Sequence, residues 1–393
     1  MRRDPLHYLS AELQALRDQG LYRRLRVLDA EQTAHTAIDH RSVVNLSSNN
    51  YLGLTTHPKL REAAIEATRR LGVGSGSVRT IAGTMDIHME LERRLAAFKR
   101  TEAAVVFQSG FTANAGAVAA ILGRDDVIVS DELNHASIID GARLSRATIK
   151  VFPHRDAGAA RQILEGVPRE RRTLLITDGV FSMDGDLGVL PELCDLAEEF
   201  GCVMMVDDAH ASGVFGEHGR GTVDHFGLHG RVDIQVGTLS KAIGVLGGYV
   251  AGSRALVEFL YHRARPFLFS TSHPPAVAAA CLAAIDVLES EPQRIAQLWE
   301  NTRYFKAGLA ALGFDVGTGE SPITPVIVGD AALAMRLSDR LFERGVFAQG
   351  IGFPTVPRGK ARVRTIVTAT HTREDLDFAL AAFKAAGAEL GVV

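Results

Sequence analysis

Short apolar segments alternate with helical stretches between residues 103 and 251. Several of these segments are apolar throughout instead of alternating between apolar and polar positions. Strands that are covered on both faces have this pattern, because neither face meets water. The sequence therefore predicts an α/β fold in which a mostly parallel sheet lies between layers of helices. The predicted strands are Ala103–Phe107, Val127–Ser130, Thr148–Phe152, Leu174–Val180, Val203–Val206, Ile234–Val236 and Tyr249–Ala251.

Helical patterns lie on both sides of this region. Leu9, Leu13 and Leu16 fall on one face of a predicted amphipathic helix near the N-terminus. We expect an N-terminal helix and connector over residues 1–45, a large domain over 46–275 and a smaller α+β domain over 276–393. The C-terminal elements are predicted at Pro275–Ser290, Glu291–Leu312, Thr324–Val328, Ala331–Glu343, Arg362–Val367 and from Arg373 onward.

Composition and charge exclude several classes of function. The chain has 393 residues, 23% of them charged, and a formal net charge of −3, a balance that does not suggest a nucleic-acid partner or an anionic membrane. The sequence contains no run of about 18 apolar residues, the length that a helix needs to span a bilayer. The charged N-terminus does not resemble a secretory signal. The three cysteines form no CxxC pair and are expected to be buried free thiols. Together these features predict a cytoplasmic protein without a nucleic-acid or membrane partner.

Two charged residues follow predicted strands, where ligands collect in open α/β sheets. Lys241 follows Ile234–Val236 in the segment GTLSKAIG, and burial there would lower its pKa and make the amine nucleophilic. Asp207 follows Val203–Val206, and a buried carboxylate needs a cation such as a protonated pyridine nitrogen. A surface lysine and a turn-capping acid are the alternatives. As a pair, the two residues suggest pyridoxal 5′-phosphate held covalently by Lys241.

Further turns carry groups that suit the rest of this cofactor. Gly110 lies in the segment QSGFT, where backbone amides at a predicted helix N-terminus suit a phosphate. Thr238 and Ser240 offer hydroxyl groups for the same phosphate. His135 follows another strand and could stack on a flat ring. A plain strand–helix turn, and helix capping by Asn134 or Ser137, remain open for these segments.

Motifs of other enzyme classes are missing from the sequence. There is no GxGxxG between a strand and a helix and no GxxxxGK[ST], so neither a dinucleotide site nor a P-loop is indicated. The histidines between His210 and His229 lack the spacing of a zinc site, and we predict no metal. Ser109 does not lie in a nucleophile elbow.

Taken together and in this order, the motifs closely resemble those of the α-oxoamine synthases. The resemblance extends from about Leu46 to the C-terminus. It implies a fold-type I transferase that depends on pyridoxal phosphate and forms a homodimer with shared active sites. The motifs are SVRTIAGT, SDELNHASIIDGARL, TDGVFSMDGD, MVDDAHASGVFGE, GTLSKAIG, RPFLFSTSHPP and FPTVPRGKARVRTIVTATHT.

The resemblance also implies roles for individual residues. Lys241 would bind the cofactor and serve as the base at Cα, Asp207 would pair with the pyridine nitrogen, and His135 would stack on the ring and donate to an oxyanion. Asn49 and Arg364 would bind the substrate carboxylate, which the forked guanidinium matches. The other cofactor contacts would come from Ser109, Gly110, Phe111, Ser182, His210 and Thr238, and from Ser270 and Thr271 across the dimer.

The substrates are predicted from two positions within this family. Typical oxononanoate synthases carry Ser at the position of Val78 and Tyr at that of Thr84, so we expect glycine and acetyl-CoA, as in glycine C-acetyltransferases, in either direction. L-Alanine with pimeloyl-CoA or a pimeloyl carrier protein is the alternative, and dual activity is also open. An aminotransferase and a non-enzymatic scaffold are the other classes. Arg23, Arg24 and Arg26 could meet an acyl carboxylate or the phosphates of CoA, or form a solvated helix end.

Overall fold

The computed structural model describes residues 4–19, 22 and 24–393. Every strand predicted between residues 103 and 251 is present. The predicted strand Leu174–Val180 ends earlier, at Asp178, because the chain then turns and Val180 bridges back to Leu187. The strands are β1 (His35–Ile38), β2 (Arg41–Asn45), β3 (Ala103–Phe107), β4 (Val127–Asp131), β5 (Thr148–Phe152), β6 (Thr173–Asp178), β7 (Val203–Asp207), β8 (Ile234–Thr238), β9 (Gly248–Gly252), β10 (Ile323–Gly329), β11 (Val346–Phe347), β12 (Gln349–Ile351) and β13 (Ala361–Ile366).

Helices cover both faces of the large sheet and form most of the C-terminal part. The predicted helices in the C-terminal region are confirmed, with bounds that differ by a few residues. The helices are α1 (Tyr8–Asp18), α2 (Pro58–Leu71), α3 (Asp86–Lys99), α4 (Gly110–Ile121), α5 (Ala136–Ser145), α6 (Ala157–Glu165), α7 (Leu190–Phe200), α8 (Thr222–His225), α9 (Arg254–Arg263), α10 (Arg265–Leu268), α11 (Pro275–Ser290), α12 (Gln293–Ala311), α13 (Ala331–Glu343) and α14 (Arg373–Leu390).

The large sheet has seven strands in the order β3-β9-β8-β7-β6-β4-β5. Strands β8, β7, β6, β4 and β5 run parallel, and β9 is antiparallel to both of its neighbours. The prediction of a mostly parallel sheet is therefore confirmed. The carboxyl ends of β4, β6, β7 and β8 meet at one edge, which is where the candidate site lies.

The apolar strand pattern follows from burial on both faces of this sheet. Ile128 in β4 packs with side chains of α4 and α5. Its neighbour Val129 points to the other face and packs with α6 and α7. Successive residues of a strand face opposite sides, so a strand between two helical layers needs apolar residues at every position.

There are two smaller sheets, and one of them joins an N-terminal hairpin to a C-terminal strand. Strands β10, β13 and β12 form an antiparallel sheet, while β1 and β2 form a hairpin that pairs with β11. The predicted connector over residues 1–45 therefore contains two strands that the sequence analysis missed, because they are short and their partner lies some 300 residues away. The proposed domain boundaries at residues 45 and 275 stay predictions.

The N-terminal helix α1 shows the predicted apolar face, and among the described residues this face is left largely exposed. Leu9, Leu13 and Leu16 are 40–43% exposed, and no residue of α1 is buried. Among the helices that the structure describes, none is long and apolar enough to cross a membrane. The cysteines are free; Cys194 and Cys281 are buried, whereas Cys202 is only half-buried.

Candidate active site

A cavity of about 160 Å³ lies at the carboxyl edge of the large sheet. All four predicted segments contribute to its wall, so they converge as expected for an open α/β sheet. The wall also contains residues that the sequence analysis did not single out, above all Asp178. The lining residues are Gly110, Phe111, His135, Ser137, Asp178, Val180, Ser182, Asp207, Ala209, His210, Thr238, Ser240 and Lys241.

Lys241 projects into this cavity from the turn after β8. Burial lowers the pKa of its amine to about 8, although the carboxylates of Asp207 and Asp178 oppose the shift. At pH 7 roughly a tenth of such an amine is uncharged, compared with well under a thousandth for an ordinary lysine. The cavity therefore contains a lysine that can act as a nucleophile and as a base near neutral pH.

Asp207 ends β7 with its carboxylate almost completely buried. The residue is 4% exposed, its Oδ2 accepts a hydrogen bond from Asn114 Nδ2 at 2.6 Å, and its Oδ1 accepts one from the Ala209 amide at 2.8 Å. No lysine or arginine in the described ranges forms an ion pair with it. Since a buried carboxylate is costly without a cation, the site is suited to a positively charged ligand nitrogen.

Asn114 contacts the candidate site and was not singled out in the sequence analysis. It lies one turn into the largely apolar helix α4, where it donates to both Asp207 and Ser137 Oγ. The sequence did contain a signal: α4 consists mostly of small and apolar residues, and the packing of an amphipathic helix gives no reason for an amide side chain among them. Only the contact with a residue 93 positions away explains it.

His135 is the N-cap of α5, in place of Asn134 or Ser137, which were the predicted alternatives. Its Nδ1 accepts from the Ser137 amide at 3.2 Å and lies 2.7 Å from Ser137 Oγ. An amide can only donate, so Nδ1 is unprotonated and the neutral ring carries its hydrogen on Nε2. The residue is exposed on the cavity side, but desolvation lowers its pKa. The charge of Lys241 lowers the pKa further, whereas the charge of Asp207 raises it.

Asp178 is a second acid in the cavity wall and ends β6, next to Asp207 at the end of β7. Its Oδ2 accepts from the His135 amide at 3.0 Å. Burial, reinforced by the charge of Asp207, raises the pKa of Asp178 well above its ordinary value. Its position at the carboxyl end of a strand was a usable sequence signal, the same one that identified Asp207.

His210 also lines the cavity and pairs with a buried tyrosine. Its Nδ1 is 2.7 Å from the hydroxyl of Tyr51. Burial lowers the pKa of His210 well below its usual range, with Lys241 and Arg364 adding to the effect. Burial also raises the pKa of Tyr51. Both groups are therefore neutral at physiological pH and form a polar contact without a net charge.

The helix N-terminus that was predicted to bind a phosphate opens into the cavity. Gly110 and Phe111 begin α4, and neither amide makes a hydrogen bond inside the described chain. Thr238 and Ser240 place hydroxyl groups 2.8 Å apart beside them. Ser109 does not line the cavity; its hydroxyl accepts from the Thr112 amide and caps the helix.

Four other predicted site residues lie outside the cavity wall. Arg364 is adjacent, because its Nη1 donates to the Ser182 carbonyl at 2.9 Å, and burial lowers its pKa. Asn49 has a buried Oδ1 without a hydrogen-bond partner. Ser270 and Thr271 lie on a surface segment, where the Thr271 carbonyl accepts from Gln108. Their assignment to a second subunit stays a prediction.

The N-terminal arginines are not placed at this cavity. Arg26 pairs with Asp39 and Asp339, and its guanidinium lies 3.9 Å from the centre of the Phe342 ring, so it anchors the N-terminal segment. Arg24 is exposed. Arg23 lies outside the described residues.

The residues present fit pyridoxal phosphate. A cavity of about 150 Å³ is known to hold one benzene ring, and this one has about 160 Å³ with the helix amides at its edge. The carboxylate of Asp207 has no cationic partner in the described protein and faces the same space as Lys241. The site thus offers an anion pocket, a nucleophilic amine and an unpaired acid.

Comparison with known proteins decides the family. A family model described as aminotransferase class I and II matches residues 41–383. The chain is 64% identical to an 8-amino-7-oxononanoate synthase of Symbiobacterium thermophilum over 387 residues, which cover 98% of this chain and 99% of that one. It is 56% identical to 8-amino-7-oxononanoate synthase 1 of Bacillus subtilis over 383 residues, 98% of each chain. The chain belongs to the α-oxoamine synthases within the aminotransferase class I and II family.

A solved structure of an α-oxoamine synthase shares the whole fold. Serine palmitoyltransferase from S. paucimobilis with a bound PLP–myriocin aldimine matches with a TM-score of 0.95 at 33% identity, covering 100% of each chain. The predicted fold-type I transferase class and the predicted cofactor, pyridoxal 5′-phosphate, are therefore confirmed. The chain is an enzyme of a family that joins amino acids to acyl thioesters.

Proposed function

We propose that this α-oxoamine synthase is an 8-amino-7-oxononanoate synthase, which condenses L-alanine with a pimeloyl thioester of CoA or of a carrier protein. The observation that carries the proposal is the 64% identity over 98% of the chain to a protein of that name. Alanine and a pimeloyl group together hold one carbon more than the nine-carbon product. The reaction therefore releases carbon dioxide as well as the thiol carrier.

The comparisons favour this activity over the glycine and acetyl-CoA pair expected from Val78 and Thr84. Both residues serve local packing in this chain. Val78 forms a β-bridge with Thr271, and the Thr84 hydroxyl bonds to Arg79, whose guanidinium pairs with buried Glu92. Such contacts can change between relatives without a change of substrate, so two positions carry less information than the whole chain.

The residues of the site have the following roles in the proposal. Lys241 binds the cofactor and afterwards moves a proton at Cα of the amino acid. Asp207, oriented by Asn114, keeps the ring nitrogen protonated. The amides of Gly110 and Phe111 with Thr238 hold the phosphate. When bound, pyridoxal phosphate supplies an electron sink for the negative charge at Cα.

The remaining residues orient the substrates. Arg364 and Asn49 bind the carboxylate of the amino acid; Arg364 keeps guanidinium hydrogens free beyond its bond to the Ser182 carbonyl, and Asn49 donates from its Nδ2. His135 lies over the cavity with a hydrogen on Nε2, which can be donated to the oxygen of the attacked thioester carbonyl. The side chains of Ser182 and His210 line the cofactor cavity.

A homodimer with shared sites belongs to the same proposal. Val73 and Ile81 are 83% and 81% exposed, and Phe269 is 69% exposed. These side chains lie on neighbouring segments, because Val78 bridges Thr271. Exposed apolar side chains grouped in this way are typical of an interface. Ser270 and Thr271 lie within this group, from which they would contact the cofactor of the partner subunit.

The activity is tested by a steady-state comparison of two substrate pairs. We expect kcat/KM for L-alanine with pimeloyl-CoA to exceed that for glycine with acetyl-CoA by at least about tenfold, or about 1.4 kcal/mol of transition-state discrimination. Release of free CoA thiol measures both reactions. The opposite preference would make the enzyme a glycine C-acetyltransferase. Amino-group transfer without CoA release would make it an aminotransferase.

A further inference from the structure

A tight turn over residues 181–187, here called the Ser182 turn, forms part of the cavity wall. Val180 and Leu187 bridge at its base. The Gly185 amide donates to the Phe181 carbonyl at 2.8 Å, and the Phe181 amide donates to the Asp186 carbonyl at 3.0 Å. Ser182 and Val180 both line the cavity. Any shift of this turn therefore moves a wall of the cofactor site.

The turn is held from one side by two arginines of strand β13. Arg364 donates from Nη1 to the Ser182 carbonyl at 2.9 Å. Arg362 donates from Nη1 to the Met183 carbonyl at 3.0 Å and forms an ion pair with Asp184 at 2.5 Å. The side chain of Arg362 is 3% exposed and that of Asp184 is 35% exposed. The carbonyls of the consecutive residues Ser182 and Met183 thus accept hydrogen bonds from two arginines that are two positions apart in β13.

Backbone contacts add to this attachment. The Gly185 carbonyl accepts from the amides of Glu320 and Ser321, both at 3.0 Å. Gly185 has φ +76°, and a Cβ atom there would lie 2.6 Å from the Ile323 carbonyl oxygen. The turn therefore approaches the start of β10 so closely that only glycine fits.

The opposite side of the turn is tied to the large sheet. His154 Nε2 lies 2.8 Å from Asp186 Oδ2, and its Nδ1 lies 3.0 Å from Asp131 Oδ1 at the end of β4. Burial lowers the pKa of His154, but the bonds to the two carboxylates outweigh it and raise the pKa to about 9. The Ser182 turn is therefore a rigid link between the cofactor edge of the large sheet and the C-terminal sheet.

We propose that Arg362 is a positioning residue for amino-acid binding. It makes no contact with the cavity, yet it fixes Met183 and Asp184 on β13, and so holds Ser182 in the wall and keeps Arg364 aligned with it. The inference rests on the proposed role of Arg364 as the carboxylate ligand. Arg362 sets the distance between that ligand and the cofactor edge of the large sheet.

The test is a titration of the holoenzyme with L-alanine or glycine, followed by the change in cofactor absorption, without an acyl donor. We expect Arg362→Gln to raise the amino-acid Kd about tenfold or more, because a buried charged hydrogen bond is lost. Arg362→Lys should restore part of the affinity, and Asp184→Asn should raise Kd about threefold. KM for the amino acid should change more than kcat.

Arg373→Gln is the matched control, because this arginine also pairs with an acid, Glu300, but lies on the surface at 41% exposure. Its Kd should equal that of the wild type. If Arg362→Gln fails to fold, the Kd of Asp184→Asn tests the inference instead, because Asp184 is partly exposed and its replacement should disturb folding less. A lower melting temperature with unchanged Kd in these variants would overturn the inference. The acyl preference does not enter this titration, so an error in the proposed substrates would appear only in the steady-state comparison.

Discussion

Replacing Lys241 by alanine is expected to reduce kcat/KM by on the order of 10³-fold or more. The amine is the group proposed both to bind the cofactor and to move the proton at Cα, and Lys241 is the lysine among the residues that line the cavity. Burial lowers the pKa of this amine to about 8, so a larger share of it is uncharged near neutral pH than for an ordinary lysine. Release of CoA measures the activity, and the absorption of the purified protein measures the covalently held cofactor.

The control for this variant is Lys59→Ala. Lys59 is 55% exposed and pairs with Glu291 on the surface, so its loss should leave both activity and absorption unchanged. Lys241→Ala with wild-type turnover, or with the same cofactor absorption as the wild type, would contradict the assignment.

The second large effect is expected for Asp207→Asn, which should lower kcat by on the order of 10²-fold or more while much of the cofactor stays bound. The amide keeps the shape of the carboxylate but has a single oxygen, so it can accept from either Asn114 or the Ala209 amide and not from both. The negative charge is removed as well, and with it the stabilisation of a protonated ring nitrogen. The measurement is kcat per bound cofactor.

A matched control for the loss of a buried acid is Asp126→Asn. Asp126 is 4% exposed but lies before β4, at the opposite edge of the same sheet, where it pairs with Arg172. We expect lower stability there without a change in kcat per bound cofactor. Equal losses of kcat in both variants would show that the effect at Asp207 is merely structural.

Much of the fold and of the site follows from the order of residues along the chain. The strands of the large sheet are buried on both faces, so Ile128 and Val129 are both apolar and the segment stands out as a strand. Ligands collect at the carboxyl ends of such strands. Lys241, Asp207 and His135 could therefore be predicted to meet, and they line one cavity.

The parts that could not be predicted depend on contacts between distant residues. Asn114 meets Asp207 from 93 positions away, and Tyr51 meets His210 from 159 positions away. Hydrophobic periodicity records which face of an element is buried but not which polar atom a buried side chain contacts. Strand β2 was missed for the same reason, since its neighbour β11 lies near the other end of the chain.

The substrate prediction from the sequence was limited by the positions on which it relied. Val78 and Thr84 differ from the residues of typical oxononanoate synthases, but both are engaged in contacts with Thr271 and Arg79. Their identity therefore reports the packing of a surface segment. The identity of 64% extends over almost the whole chain and favours the other substrate pair.

The central claim is that Lys241 holds the cofactor, and chemical mapping tests it most directly. Borohydride reduction of the holoenzyme fixes pyridoxal phosphate to its lysine, and mass spectrometry of the peptides then locates it. We expect one modified site, in the peptide containing Gly237–Ala242. Modification at another lysine, such as Lys306, whose amine is also partly desolvated with a lowered pKa, would contradict the account.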